Sequence, residues 1–459
     1  MIALVMLPLH VVVTGWLSAF GDQGWAPTLL AGEGPARGWL VGYGGAIFLH
    51  GVAGTPWAAL LGVAALRSID PRREEQALLE ADALSVLGRV TLREAAPSLA
   101  AIGMFLAVLA AVEITVTDLL IVRTFAEEVY TQAAAGQLLD GPLADAGSRG
   151  LFAGVAVLGL IAAVAISWLA SRVRVAFDMP AAQPWHFSRR LASTLALHGL
   201  VGLLVAVPIG SLIYTAGWQV RPVEGVGVQK SWQPSKAIQA VAVAPWQHRR
   251  ELGVSLTLAA WVASGVTLIS GLIAWRMRRG GAVTSVACCL LAAGMAIPGP
   301  LVGVAVIRGL NQPPDSAFSF LGDLYGTWFA PWLAQTLRLV PLVALLLWPA
   351  MRRVATDVID AARSDGAGGV SRLTRVAIPI CGPALAAAWL VAFAMSLGEI
   401  SATVLVVPPG TPPLSVRLLS LLHYGVEDRV AAISLVLAAG SAVLATILAR
   451  LLPVGRWLG

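Results

Sequence analysis

The chain has 459 residues, 58% of them hydrophobic and 12% charged, with a net charge of +6. A soluble domain carries about 25% charged residues. Half that share leaves too little polar surface for a water-facing fold, which excludes a soluble enzyme and makes the positive balance a matter of membrane topology, not of nucleic-acid binding.

A bilayer core demands about 20 consecutive apolar residues per helix. Runs of that length recur at 1–21, 39–66, 95–122, 150–171, 191–217, 252–275, 281–307, 328–351, 380–407 and 430–452. Backbone groups in lipid must bond within their own segment, and these runs lack the alternation of barrel strands. The expected fold is therefore all-α and polytopic, with about ten membrane helices counted from those runs. The first run has no basic start and no small-residue cleavage site, so it reads as a span and not as a cleaved signal.

Arginines collect on alternate loops. One set holds Arg67, Arg72, Arg73, Arg89 and Arg93, then Arg172, Arg174, Arg189 and Arg190, then Arg276, Arg278 and Arg279, then Arg352, Arg353, Arg363, Arg372 and Arg375, then Arg450 and Arg456. The positive-inside rule places these loops and both chain ends in the cytoplasm. Trp25, Trp39, Trp218, Trp328 and Trp332 flank spans on the opposite side, as interfacial anchors do. Cys288, Cys289 and Cys381 lie in apolar runs without metal-site spacing, and the histidines are scattered, so neither a metal site nor an enzyme is indicated.

Shifting the chain by 286 residues aligns 97–120 with 383–406. Pro97/Pro383, Glu113/Glu399, Ile114/Ile400 and Thr117/Thr403 are identical, and upstream Arg67/Arg353, Arg89/Arg375 and Val90/Val376 keep the register. The shift maps cytoplasmic loop onto cytoplasmic loop, so the repeats are parallel, with a substrate path expected between them. The expected organisation is a first module at 1–172 with four spans, a cytoplasmic linker at 173–190 and a second module at 191–459 with six. The spans 191–217 and 252–275 map to positions before residue 1, so the first module lacks two N-terminal helices, which points to a missing segment.

Between two apolar runs lies "DAARSDGAGGVSRLTRVAIP", residues 360–379. Asp360-Ala361-Ala362, three residues, Gly366, nine residues, then Val376-Ala377-Ile378-Pro379 resembles the cytoplasmic loop E-A-A-x3-G-x9-I-x-L-P of permease subunits of binding-protein-dependent ABC importers. Residues before Gly366 suit a short helix that a left-handed glycine ends, and Pro379 is expected to start the next span. The resemblance implies that this loop docks into a cleft of an ATPase subunit. The aligned loop 74–93 departs from the pattern: Glu74 stands for the acid, Glu75 and Gln76 for the alanines, Glu80 for Gly, Val90 for Ile and Arg93 for Pro. Asymmetric coupling is the expectation.

Residues 393–425 are similar to the ferric-iron and thiamine type of these permeases, a branch that fuses two modules in one chain. That resemblance implies a multi-pass protein of the bacterial inner membrane, with ATP-binding subunits on the cytoplasmic side and a periplasmic substrate-binding protein as partners, and no nucleic acid. It implies no cofactor in this chain, ATP and Mg belonging to the partner. Lys230 and Lys236 are the only lysines and neither follows Gly, so no Walker A motif is present. Ferric iron is the first expected substrate, with thiamine, phosphonate or an oxyanion as alternatives. An ion-coupled secondary transporter is the alternative of another class.

Ionisable groups inside spans face a cavity or a partner. Glu113, Thr115, Thr117 and Asp118 in the first half, and Glu399, Ser401 and Thr403 in the second, form matched polar patches. They either line the path or join helices by hydrogen bonds. Arg338 either snorkels or pairs with Glu399. "VVPPGTPPLSVRLLSLL" is expected outside, with a short amphipathic helix.

Overall fold

A computed structural model describes residues 2–22, 24–31, 38–66, 69–135, 150, 153–155, 157–165, 191–223, 227–410 and 412–451. The 173–190 linker, Arg67 and most of the arginines expected beside that linker lie outside the described residues.

The fold is that of an all-α polytopic membrane protein. Among the described residues, six helices are long and apolar enough to cross a bilayer: Gly42–Leu66, Ala83–Ala111, Leu195–Ala216, Arg249–Met277, Phe329–Arg352 and Glu427–Leu451. Two bent pairs bring the number to eight if each counts as one span. The shortfall from ten has local causes. Pro8 cuts the first run into Ile2–Met6 and Leu9–Phe20, because its ring fixes φ and it has no N–H for the preceding turn. The 281–307 run bends by 98° between Gly281–Met295 and Gly299–Leu310, with Pro298 at the break. The 380–407 run ends early, at Gly398, where Glu399 turns extended. The 150–171 run is described only in part.

One departure from the all-α expectation lies in the long 218–250 loop. Trp218–Val223 pairs antiparallel with Gly227–Trp232, Trp218 opposite Trp232, and the helix Pro234–Gln247 follows. Aromatic packing closes the hairpin onto the end of a span: Tyr214 meets the Trp218 ring edge-on at 5.6 Å, and Trp232 Nε1 donates to the Tyr214 carbonyl.

The largest core joins Arg249–Met277, Phe329–Arg352 and Gly382–Gly398. Its buried residues include Val262, Ala263, Val266, Ala274, Ala344, Ala388 and Ala392. Lipid tails are as apolar as Leu, so helices gain by close approach through small residues and by hydrogen bonds across the contact. Such bonds are present: Ser270 Oγ donates to the Val340 carbonyl, Trp348 Nε1 to the Met277 carbonyl, Trp332 Nε1 to the Trp261 carbonyl and Trp389 Nε1 to Ser264 Oγ. Leu195, Leu197, Leu200 and Leu203 on the Leu191–Ala216 helix are exposed, as a lipid-facing surface requires.

The same small elements recur in both halves at the 286-residue shift. Ala83–Val86 corresponds to Gly369–Arg372, and the π-helical turn Leu87–Thr91 to that at Leu373–Ala377. The preceding helices, Pro71–Leu78 and Thr356–Ser364, end in register. Beyond the π turns the halves diverge. Leu92–Ala111 runs on without a break, with Pro97 inside it, whereas Gly369–Ile380 and Gly382–Gly398 meet at 80°. Pro379 therefore does not open the span as expected. It sits in the single turn Ile378–Ile380, and Pro383 takes the first turn of the span, which begins at Gly382.

Candidate functional site

Several helix breaks face one cavity of about 280 Å³. Pro8, Glu113, Met295 and Glu399, each at or beside a break, line it together with His50, Trp57, Thr115, Arg338 and Ser401. A broken helix leaves backbone donors and acceptors without partners, and the charged side chains supply them. Glu113 Oε1 accepts from the Thr115 N–H at 2.6 Å and Oε2 from the Val116 N–H at 3.0 Å. Glu399 Oε1 accepts from the Ala402 N–H at 2.7 Å. Arg338 Nη1 donates to the Ile297 carbonyl at 2.6 Å and, at 3.5 Å, to that of Met295. A cation at a helix C-terminus also complements the helix dipole.

Glu113 and Glu399 each cap the backbone of their own following turn, a local bond that joins no two helices, and both line the cavity. Thr115 and Ser401, at matched positions, share the lining. Thr117, Asp118 and Thr403 do not line it. Thr117 Oγ1 donates to the Ile114 carbonyl of its own turn. Asp118 Oδ2 stands 3.4 Å from His423 Nε2, on the short helix Leu414–His423 expected in that stretch. Thr403 is fully buried and accepts from Gln335 Nε2, while Ser396 Oγ donates to Gln335 Oε1. Arg338 and Glu399 share the cavity, but among the described residues they form no ion pair.

The Gln335 link is a testable joint between helices. A Gln335→Leu chain keeps the volume but strands the Ser396 and Thr403 hydroxyls in a dry contact, at about 1–3 kcal/mol. Its thermal midpoint in detergent should drop by several degrees; an unchanged midpoint would show that the three-residue link adds no stability.

Sequence reasoning missed His50, Gln335 and Gly299. His50 aligns with the buried polar Thr336 at the 286-residue shift, and that pairing of polar positions inside two apolar runs was the available signal. Gly299 is a close-approach position: a Cβ there would stand 2.4 Å from Ser401 Cβ.

The loop at 356–380 has the geometry its sequence suggests. Thr356–Ser364 ends in a Schellman motif. The Ala367 N–H bonds to the Ala362 carbonyl and the Gly366 N–H to that of Arg363, with Gly366 at φ +83°. Asp360, Ala361 and Gly366 are exposed, Ala362 and Val376 are half-buried, and Ile378 and Pro379 are exposed. Ile359 and Ala377 are buried in the main helical core and anchor the loop to it.

The loop at 70–93 reaches a similar shape by other means. Asp70 caps Pro71–Leu78 through the Arg72 N–H, and Asp82 caps Ala83–Val86 through the Leu84 and Ser85 N–H groups. Glu80 stands where the second loop has Gly366, with no positive φ. The position of buried Ile359 is taken by Arg73, which pairs with Glu94 at 2.7 Å, and Thr91 Oγ1 donates to Glu74. Glu75, Gln76 and Glu80 are exposed, Val90 is half-buried and Arg93 is exposed. Both loops carry an exposed apolar knob at the same register, Leu84 at 67% and Val370 at 77%, and the first loop also exposes Leu79.

No family model matches the chain. It is similar to the putative 2-aminoethylphosphonate transport system permease protein PhnV of Salmonella choleraesuis, at 29% identity over 36% of this chain and 58% of that protein. The counterpart from Salmonella paratyphi A is 30% identical over 31% of this chain and 52% of its own length. The chain thus spans little more than half the length of these relatives. The spermidine/putrescine transport system permease protein PotC of Haemophilus influenzae is 26% identical over 43% of this chain and 74% of its own length. Over these stretches the chain is similar to transport-system permease proteins, and its long apolar helices are those of a multi-pass membrane protein.

Proposed function

We propose that this chain is the membrane permease subunit of an ATP-driven importer of the bacterial inner membrane. It has two permease modules, 1–172 and 191–459, joined by the cytoplasmic linker 173–190, and both chain ends are cytoplasmic. A periplasmic binding protein delivers a small solute. Separate ATP-binding subunits, which carry ATP and Mg, dock on the loops at 70–93 and 356–380. The observation that carries this reading is the second loop: the motif spacing coincides with an exposed helix closed by a left-handed glycine and anchored by Ile359 and Ala377 to the core. A partner that pushes on Thr356–Ser364 moves the helices of that core, whose third member ends at the cavity residue Glu399.

For the solute, the relatives' names support a small organic compound with a primary amine on a short carbon chain, which 2-aminoethylphosphonate, spermidine and putrescine share. They give ferric iron and thiamine no support. Among the described residues, no group of three His, Cys, Asp or Glu side chains could hold a metal ion.

The test is uptake into vesicles holding this chain with its co-purified ATPase subunits. An ATPase subunit inactivated at its Walker A lysine should abolish uptake. Undiminished uptake, or uptake driven by an ion gradient alone, would favour the secondary-transporter reading instead.

A further inference from the structure

The charged groups facing the cavity differ in what they have left to offer. Glu113 has both carboxylate oxygens engaged by backbone N–H groups. Glu399 has one engaged, and its Oε2 accepts from no described residue. Arg338 uses Nη1 on the bend carbonyls, and its Nε and Nη2 donate to no described residue. His50 lies within electrostatic reach of Glu113. The remaining wall is largely apolar, with Leu7, Val12, Trp57, Leu106 and Leu342 among it. The open valences are thus one carboxylate oxygen with the Ser401 hydroxyl two residues on, and one guanidinium edge, in an otherwise oily space.

We infer that this cavity is a transit site for a small zwitterion, with an ammonium group held by Glu399 and Ser401, a compact oxyanion held by Arg338, and a short apolar chain between them. The inference rests on the permease reading and narrows its substrate class. A diamine or a metal cation would set a second positive charge against Arg338. A simple oxyanion would set its charge against Glu399 and Glu113. Only a solute with both signs meets each group with its opposite, and charge-assisted hydrogen bonds are the strong ones. The volume of about 280 Å³ lies at the lower edge of small-molecule pockets, about 300 Å³, and holds a solute of a few heavy atoms. Each contact is shared with a backbone group, which holds the solute loosely enough to release.

The test needs no ATPase, so its outcome is separate from that of the importer reading. The full chain, in nanodiscs, carries Ala53→Cys in the cavity wall, with Cys288, Cys289 and Cys381 changed to Ser. The rate at which a maleimide alkylates position 53 is read with 2-aminoethylphosphonate, putrescine, ethylphosphonate or ferric citrate present. The zwitterion should slow alkylation several-fold and the other three should not. Glu399→Gln should remove that protection, and Arg338→Gln should shift it toward putrescine. Because Arg338 also holds the helix bend, Arg338→Lys serves as the variant that keeps the charge, and it should keep the preference for the zwitterion. Equal protection by putrescine, ethylphosphonate or ferric citrate, or none by the zwitterion in a chain that melts normally, would overturn the inference.

Discussion

Gly366→Val should cripple transport, while Glu80→Val at the matched position should leave it close to the parent rate. Gly366 holds φ +83°, and Glu80 does not share that conformation. A left-handed backbone costs an L-residue about 1–2 kcal/mol, and a β-branched side chain is the worst case. A Cβ at 366 meets nothing within 4 Å, so no packing is lost and the chain should still insert and melt normally. What changes is the turn that ends Thr356–Ser364, and with it the direction in which Asp360 and Ala361 face a partner. The turn at 79–81 is closed instead by the Glu80 and Ala81 N–H groups bonding to the Ala77 carbonyl, which any L-residue accommodates. Uptake rate and ATPase affinity, measured for both variants, check the pair. Equal losses at both positions would show that the loops couple symmetrically.

Gly299→Ala should be the most destabilising single-methyl change near the cavity. Its Cβ would lie 2.4 Å from Ser401 Cβ, 2.8 Å from the Ser401 carbonyl carbon and 2.9 Å from the Ala402 nitrogen. Two of these are backbone atoms, which cannot rotate away. Overpacking of this kind costs about 1–3 kcal/mol, and here it also pushes on the turn in which the Ala402 N–H bonds to Glu399. Gly303→Ala, with its nearest contact at 3.2 Å from the Ala402 carbonyl oxygen, should cost less. Gly309→Ala on the same helix meets nothing and should be neutral or slightly stabilising, since Ala favours a helix over Gly by about 1 kcal/mol. Thermal midpoints in one detergent should rank the three in that order; a Gly299→Ala chain as stable as the parent would mean that the two segments can part at this crossing without cost.

Hydropathy made the membrane class and the apolar runs legible, because a lipid-facing helix leaves no room for other compositions. It could not show where a run breaks. Pro8 and Glu399 each sit inside an apolar run, and only their backbone geometry shows that they end a helix. The helix and turn at 356–366 were legible almost residue by residue, since a left-handed glycine and the spacing around it are properties of the local chain. Pro379 was misplaced by one short turn because the 80° bend between Ile380 and Gly382 has no composition of its own. The cavity was half legible. The matched Glu113 and Glu399 stood out, but the roles of Thr117, Asp118 and Thr403 depend on partners far along the chain, Gln335 and His423 among them.

Contact between the knob of the second loop and an ATPase subunit is the central claim. A photo-crosslinking amino acid at Val370, irradiated in the purified complex, measures it most directly, with exposed Leu256 on the Arg249–Met277 helix as the membrane-facing control. A crosslink from position 370 to an ATP-binding subunit, altered by nucleotide, is expected, and none from position 256. No adduct at 370 in a complex that transports, or adducts of equal yield at both positions, would contradict it.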